Sequence, residues 1–121
     1  MTERTKQQIG KASKARGKRA ELDLVHKLQQ EFGFSDARRT AQYCGKAGTS
    51  DVVGVPGVHC ECKAVERLNI WKALAQSRRD SEANGKGGDI PAVFFKRNRS
   101  GWYVAVPLKD FVRLYKGEIH K

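Results

Sequence analysis

From Asp51 to Lys63 the chain reads Asp-Val-Val-Gly-Val-Pro-Gly-Val-His-Cys-Glu-Cys-Lys. An acid opens one apolar strand, Pro56-Gly57 makes a turn, and the next strand carries Glu61 and Lys63 two residues apart. Side chains in a strand alternate between faces, so Glu61 and Lys63 share a face. Two carboxylates with a lysine beside them suit metal-assisted cleavage of a phosphodiester. That reaction must deprotonate a water, neutralise charge on the phosphorane and stabilise the leaving oxygen. One or two Mg²⁺ ions held by carboxylates can serve all three needs, and Mn²⁺ can substitute. Asp51 and Glu61 are hard oxygen ligands, and the backbone carbonyl of Cys62 between the key side chains is another. Lys63 can orient the water or balance developing charge. Glu21 is a further acid, at the border of an apolar helical stripe, from which it can reach a site at a sheet edge.

The rest of the chain fits such a substrate. It has 121 residues and a formal net charge of +11. That length suits one domain, and that charge argues for a polyanionic partner, nucleic acid by default. No segment is long and apolar enough for a membrane span, and no apolar stretch follows the basic N-terminus as in a secretory signal. Three cysteines, Cys44, Cys60 and Cys62, form an odd count, and the last two are too close in a strand to pair easily. The expectation is a reducing, cytoplasmic protein with free thiols.

The elements that must position these residues follow from periodicity. Residues 1–17 are basic and polar and predict a flexible arm, residues 18–116 the folded domain, and residues 117–121 a tail. Ala20, Leu24, Leu28 and Phe32 repeat at four-residue spacing and predict a helix from Lys18 to Phe32, ended by Gly33. Residues 34–39 suit a short strand. Val52–Val55 and Val58–Lys63 make the hairpin. Residues 66–84 predict a helix with Leu68, Trp71, Leu74 and Ala75 on its apolar side. Two strands, Pro91–Lys96 and Trp102–Val106, then precede a closing helix, Pro107–Tyr115, with Leu108, Phe111, Val112 and Tyr115 on one face. The predicted order is α-β-β-β-α-β-β-α, an α/β fold with a mixed central sheet flanked by helices.

Asp51, then Glu61-Cys62-Lys63 on the next strand, after a helix bearing Glu21, resembles the PD-(D/E)XK nuclease superfamily. Within it the chain looks most like archaeal-type Holliday-junction resolvases and small phage nucleases. The Gly17-Lys-Arg-Ala-Glu21 start, the Arg38-Arg39 strand end and the Gly48-Thr-Ser-Asp51 approach match that layout. Ser50 stands where many members have proline. The resemblance implies a restriction-endonuclease-like fold and a Mg²⁺-dependent endonuclease acting on branched DNA as a homodimer, in a prokaryotic or phage-infected cell. It implies metal ligands at Glu21, Asp51, Glu61 and the Cys62 carbonyl, and a catalytic lysine at Lys63. Flaps, single strands and duplex are alternative substrates. A non-catalytic nucleic-acid-binding protein is the rival of another class.

Candidate DNA contacts are Arg16, Lys18, Arg19, Arg38, Arg39, Lys46, Gln76, Arg78 and Arg79, each equally readable as a solvated surface group. Cys60 and Cys62 read as small core residues rather than zinc ligands, since no C-x₂-C spacing exists. His59 shares the Glu61 face. Gly85–Gly88 reads as a connecting loop, because it lacks the lysine and helix of a nucleotide-binding loop. One geometric condition follows. If Pro56-Gly57 were a two-residue hairpin loop, Asp51 would face Cys62 and lie on the opposite sheet face from Glu61. A shared site needs an odd-length loop, a bulge or a bend at Asp51.

Overall fold

A computed structural model describes residues 6–40, 50–83 and 89–118, with side chains from residue 15. The elements are α1 (Lys6–Gln30), β1 (Arg38–Arg39), β2 (Val52–Val53), β3 (Val58–Ala64), α2 (Ile70–Ala83), β4 (Ile90–Lys96), β5 (Tyr103–Ala105) and α3 (Leu108–Tyr115). The order is the one periodicity predicts. Lys46, Cys44, Gly85–Gly88 and the last three residues lie outside the described residues.

The five strands form one sheet in the order β1-β2-β3-β4-β5. β3 and β4 run parallel and every other pair is antiparallel. A parallel pair needs a long crossover, which α2 supplies. α1 covers one face. Leu24, Val25 and Leu28 pack there with Ala37, Val52 and Cys60, and Cys62 joins the edge of that core. His59 and Glu61 alternate with the cysteines and meet α2 on the other face.

α1 starts twelve residues before the helix that the apolar stripe predicts, at Lys6 rather than Lys18. The arm expected over residues 1–17 is therefore, from Lys6 on, the first part of α1. Its lysines, glutamines and alanines are strong helix formers, which a search for apolar periodicity cannot see. Past Gly33, at φ 78°, the Phe34 N–H returns to the Leu28 carbonyl at 2.8 Å and closes the helix. Phe32, expected in the stripe, is exposed.

α2 departs from its predicted face. Trp71 is 79 % exposed, while Ala73, Ser77 and Ser81 are buried at four-residue spacing. Small side chains let the helix lie close to the sheet. The Ser77 and Ser81 hydroxyls donate to the carbonyls of Ala92 and Asp89, so their burial leaves no polar group unpaired. Asn69 caps the helix by accepting the Lys72 N–H at 3.1 Å, which starts it at Ile70 instead of residue 66. On α3 the apolar stripe exists as predicted but faces solvent: Leu108, Phe111, Val112 and Tyr115 are exposed and Asp110 is buried.

Candidate active site

The hairpin register decides whether Asp51 and Glu61 can meet. Val52 pairs with Cys60. This register differs by one residue from that of a two-residue loop, so Asp51 is not held opposite Cys62 and its carboxylate comes within reach of Glu61. The shift lies in the turn, where the Val58 N–H returns to the Val55 carbonyl at 3.2 Å and Gly57 has a φ of 78°. Gly54 leads into it with a φ of 93°, and a Cβ there would lie 2.1 Å from the Asp36 carbonyl oxygen, so only glycine fits against the β1 approach. Beyond Val52 the chain bends at Asp51, whose N–H still reaches the Cys60 carbonyl at 2.9 Å.

Because β2 is short, the Glu61–Ala64 end of β3 is paired to β4 alone among the described residues. Asp51 partly replaces the missing strand: its Oδ2 accepts the Cys62 N–H at 2.8 Å. The N–H and C=O of one strand residue point to the same edge, so the Cys62 carbonyl is also directed toward Asp51. The Asp51 and Glu61 carboxylates are close enough to share a hydrogen bond. Burial, with the Glu61 charge second, pushes the Asp51 carboxyl up from 3.8 to about 6, while the Cys62 N–H and Lys63 pull it back only in part.

Glu61 also has partners toward α2. His59 is buried and its Nε2–H donates to Glu61 Oε1 at 2.9 Å. Asp80 joins them, with one ligand atom from each of the three within 4.8 Å of the others. Sequence reasoning missed Asp80. Its signal was the Ala73-Ser77-Ser81 stripe, on whose edge Asp80 lies.

Glu21 is on α1, on the opposite face from Glu61, and Arg39 Nε holds its Oε1 at 2.9 Å. The charges of Asp51 and Glu21 both act on the Cys62 thiol, behind burial as the main cause, and drive its pKa upward. The two acids thus flank Cys62. Burial likewise pushes the Cys60 thiol up to about 12. Both cysteines are free thiols of the core, as expected, and neither joins a cluster with metal-ligand spacing among the described residues.

Of the expected DNA contacts, Arg16 lines a cleft of about 440 Å³ with Lys63, Cys62 and Asn98. Lys18, Arg19, Arg38 and Arg79 are exposed, and Gln76 is half-buried. Arg38 donates to the Asp36 carbonyl. Arg78 pairs with Glu82 and lines a different cleft, with Asp89 and Pro91, at the other end of α2.

No curated protein and no solved structure matches the chain. A family model described as "Phage putative PDDEXK endonuclease" matches residues 12–120, nearly the whole sequence. The mixed five-stranded sheet flanked by helices has the restriction-endonuclease-like form expected of such a nuclease. No helix among the described residues is long and apolar enough to cross a membrane. An acid at the bend into β2, Glu61 and Lys63 on β3, and a match that includes all three therefore lead to one assignment: the chain belongs to the phage PDDEXK endonuclease family.

Proposed function

We propose that the chain is a Mg²⁺-dependent DNA endonuclease with Asp51, Glu61 and Lys63 at its active centre. The observation that carries this reading is the pair of adjoining carboxylates where the β2 pairing of β3 ends. Burial first, and the repulsion between two ionised acids second, push the Asp51 carboxyl up to about 6. With the Cys62 carbonyl aimed the same way, the set fits a hard divalent cation, which favours carboxylate and carbonyl oxygens. When bound, Mg²⁺ (or Mn²⁺ on the same oxygens) supplies polarisation of the phosphate and a more acidic water. Glu21 is the third acid of the proposal, beside Cys62, with its charge offset by Arg39.

The chain's own groups do the rest. Lys63 is near enough to Asp51 to favour its ionised form, and its ammonium can balance charge growing on the phosphate oxygens. His59 fixes the orientation of Glu61 through its ring N–H, as a hydrogen bond behind a ligand does. Arg16 offers a guanidinium at the same cleft, with Lys18, Arg19 and Arg38 as further phosphate contacts along the surface.

For the substrate we propose branched DNA, a four-way junction first, cut by a homodimer in the cytoplasm of a prokaryotic or phage-infected cell. The support is the resemblance at Gly17–Glu21, Arg38-Arg39 and Gly48–Asp51, the net charge of +11, and symmetry. Two matched nicks across a junction need two sites related by a two-fold axis. The test is incubation with labelled four-way junction and matched duplex, in Mg²⁺ and in EDTA. Cleavage in Mg²⁺ alone, with junction preferred, is expected. No cleavage of any DNA in Mg²⁺ or Mn²⁺ overturns the nuclease reading, and equal cleavage of both substrates overturns the junction reading.

A further inference from the structure

An aromatic groove lies beside Lys63 and has no part in the chemistry above. Strand pairing sets Lys63 level with Phe95, and Phe95 level with Tyr103. Paired residues share a face, so the three side chains form one row across β3, β4 and β5. Neighbouring strands lie about 4.8 Å apart, which puts Tyr103 about 10 Å from Lys63 along the row. The Phe95 and Tyr103 rings are stacked, with centroids 5.9 Å apart. Tyr103 sits on the edge strand and is 60 % exposed, so the ring face away from Phe95 is open. The two rings wall a groove of about 370 Å³ that Leu68, Lys96 and Arg97 also line. Val65 and Glu66 line both this groove and the Lys63 cleft, so the two are neighbours.

What fills a flat apolar wall with Arg97 at its rim, one or two nucleotides from the Lys63 ammonium? A base attached to the phosphate chain does. Its π-face matches the open ring and its backbone matches Arg97, while Lys96 turns its ammonium over the Trp102 ring, 5.6 Å from the centroid. In a duplex both faces of each base are already stacked, so only an unpaired base is free to lie there. We infer that the Phe95–Tyr103 groove binds an unpaired base of the DNA whose phosphate lies at Lys63. The site is then selective for DNA with an unstacked nucleotide next to the cut, as at a flap, a single-stranded tail or an opened branch point. The inference rests on the nuclease reading and names the substrate feature that the same site selects.

The experiment uses the full chain in EDTA and two labelled DNAs, a blunt duplex and the same duplex with a single-stranded tail. The tail carries the fluorescent base 2-aminopurine at its first unpaired position. The wild type is expected to bind the tailed DNA more tightly and to quench the fluorescent base. Tyr103→Ala should lose the quenching and lower the tailed-to-blunt affinity ratio by about 5- to 150-fold, the range for losing one stacked base. Tyr103→Phe should keep both, because the ring remains. An unchanged ratio and unchanged quenching in Tyr103→Ala overturn the inference. Adding Mg²⁺ to the same samples separates the two readings. Quenching that depends on Tyr103, with cleavage of neither these DNAs nor the four-way junction, supports the groove and overturns the nuclease. Cleavage with no dependence of quenching on Tyr103 overturns the groove alone.

Discussion

Asp51 and Glu61 are held together by the fold although their charges oppose it. Without metal the folded state favours protonated Asp51, pushed up to about 6 from 3.8 chiefly by burial and then by Glu61. The stability this group contributes is fully present below about pH 4 and is lost as pH rises through about 6. In EDTA, Asp51→Asn should therefore be about 1–3 kcal/mol more stable than wild type at pH 7.5 and nearly equal at pH 4. Urea unfolding at the two values checks this, and an equal difference at both removes the electrostatic account. Glu61→Ala should abolish cleavage while DNA affinity stays level or rises, since an acid facing phosphate has been deleted; gel-shift binding beside a cleavage assay reads both. Lys63→Ala should lower the cleavage rate about 10²–10³-fold. Lys63→Arg should recover little, because a planar guanidinium cannot replace a compact ammonium, and full recovery would make Lys63 only a phosphate clamp. The strand residues of this site were legible because a period of two fixes which side chains share a face. Asp80 was not, because it reaches His59 and Glu61 from a separate helix, through a stripe of serines that carries no hydrophobic signal.

At the scale of elements, the hairpin makes the site possible, and its turn is shaped by Gly57 and by the crowded Gly54 that precedes it. Two glycines give a controlled comparison. Gly33 and Gly54 both have positive φ, but a Cβ at Gly33 meets nothing within 4 Å, whereas at Gly54 it strikes the backbone of Asp36 and Ala37. Gly33→Ala should cost about 1 kcal/mol and Gly54→Ala about 3 kcal/mol or more, with cleavage lost as Asp51 leaves Glu61. Equal costs in denaturant would mean that crowding at Gly54 does not shape the turn. The sequence could state the condition on the register but not which solution the chain adopts, because the contact that crowds Gly54 comes from Asp36 and Ala37, many residues away. α2 shows the opposite weakness of pattern reading. Leu68, Trp71 and Leu74 look like a core stripe, yet close approach to the sheet selects Ala73, Ser77 and Ser81 instead.

For the whole molecule, charge and element order were readable from the sequence alone, and the family match includes nearly all of it. Charge predicts a steep salt dependence. Contacts with about six to ten phosphates make affinity fall roughly 10³–10⁵-fold between about 50 and 200 mM salt. Deleting residues 2–14 removes Arg4, Lys6, Lys11 and Lys14 but spares Arg16 at the Lys63 cleft. The truncated protein should bind more weakly and show a shallower salt slope, with Mg²⁺-dependent cleavage retained. Binding measured against salt for both proteins decides this, and an unchanged slope means the start of α1 touches no phosphate.

The outward apolar stripe of α3 has a consequence for anyone who handles the protein. Leu108, Phe111, Val112 and Tyr115 offer a ready surface to small hydrophobic dyes while the chain is fully folded. Dye-based melting curves should begin from a bright baseline and understate the transition, whereas circular dichroism should not. The baseline also carries information: brightness per molecule that rises on dilution would mark a face that a second copy covers at higher concentration.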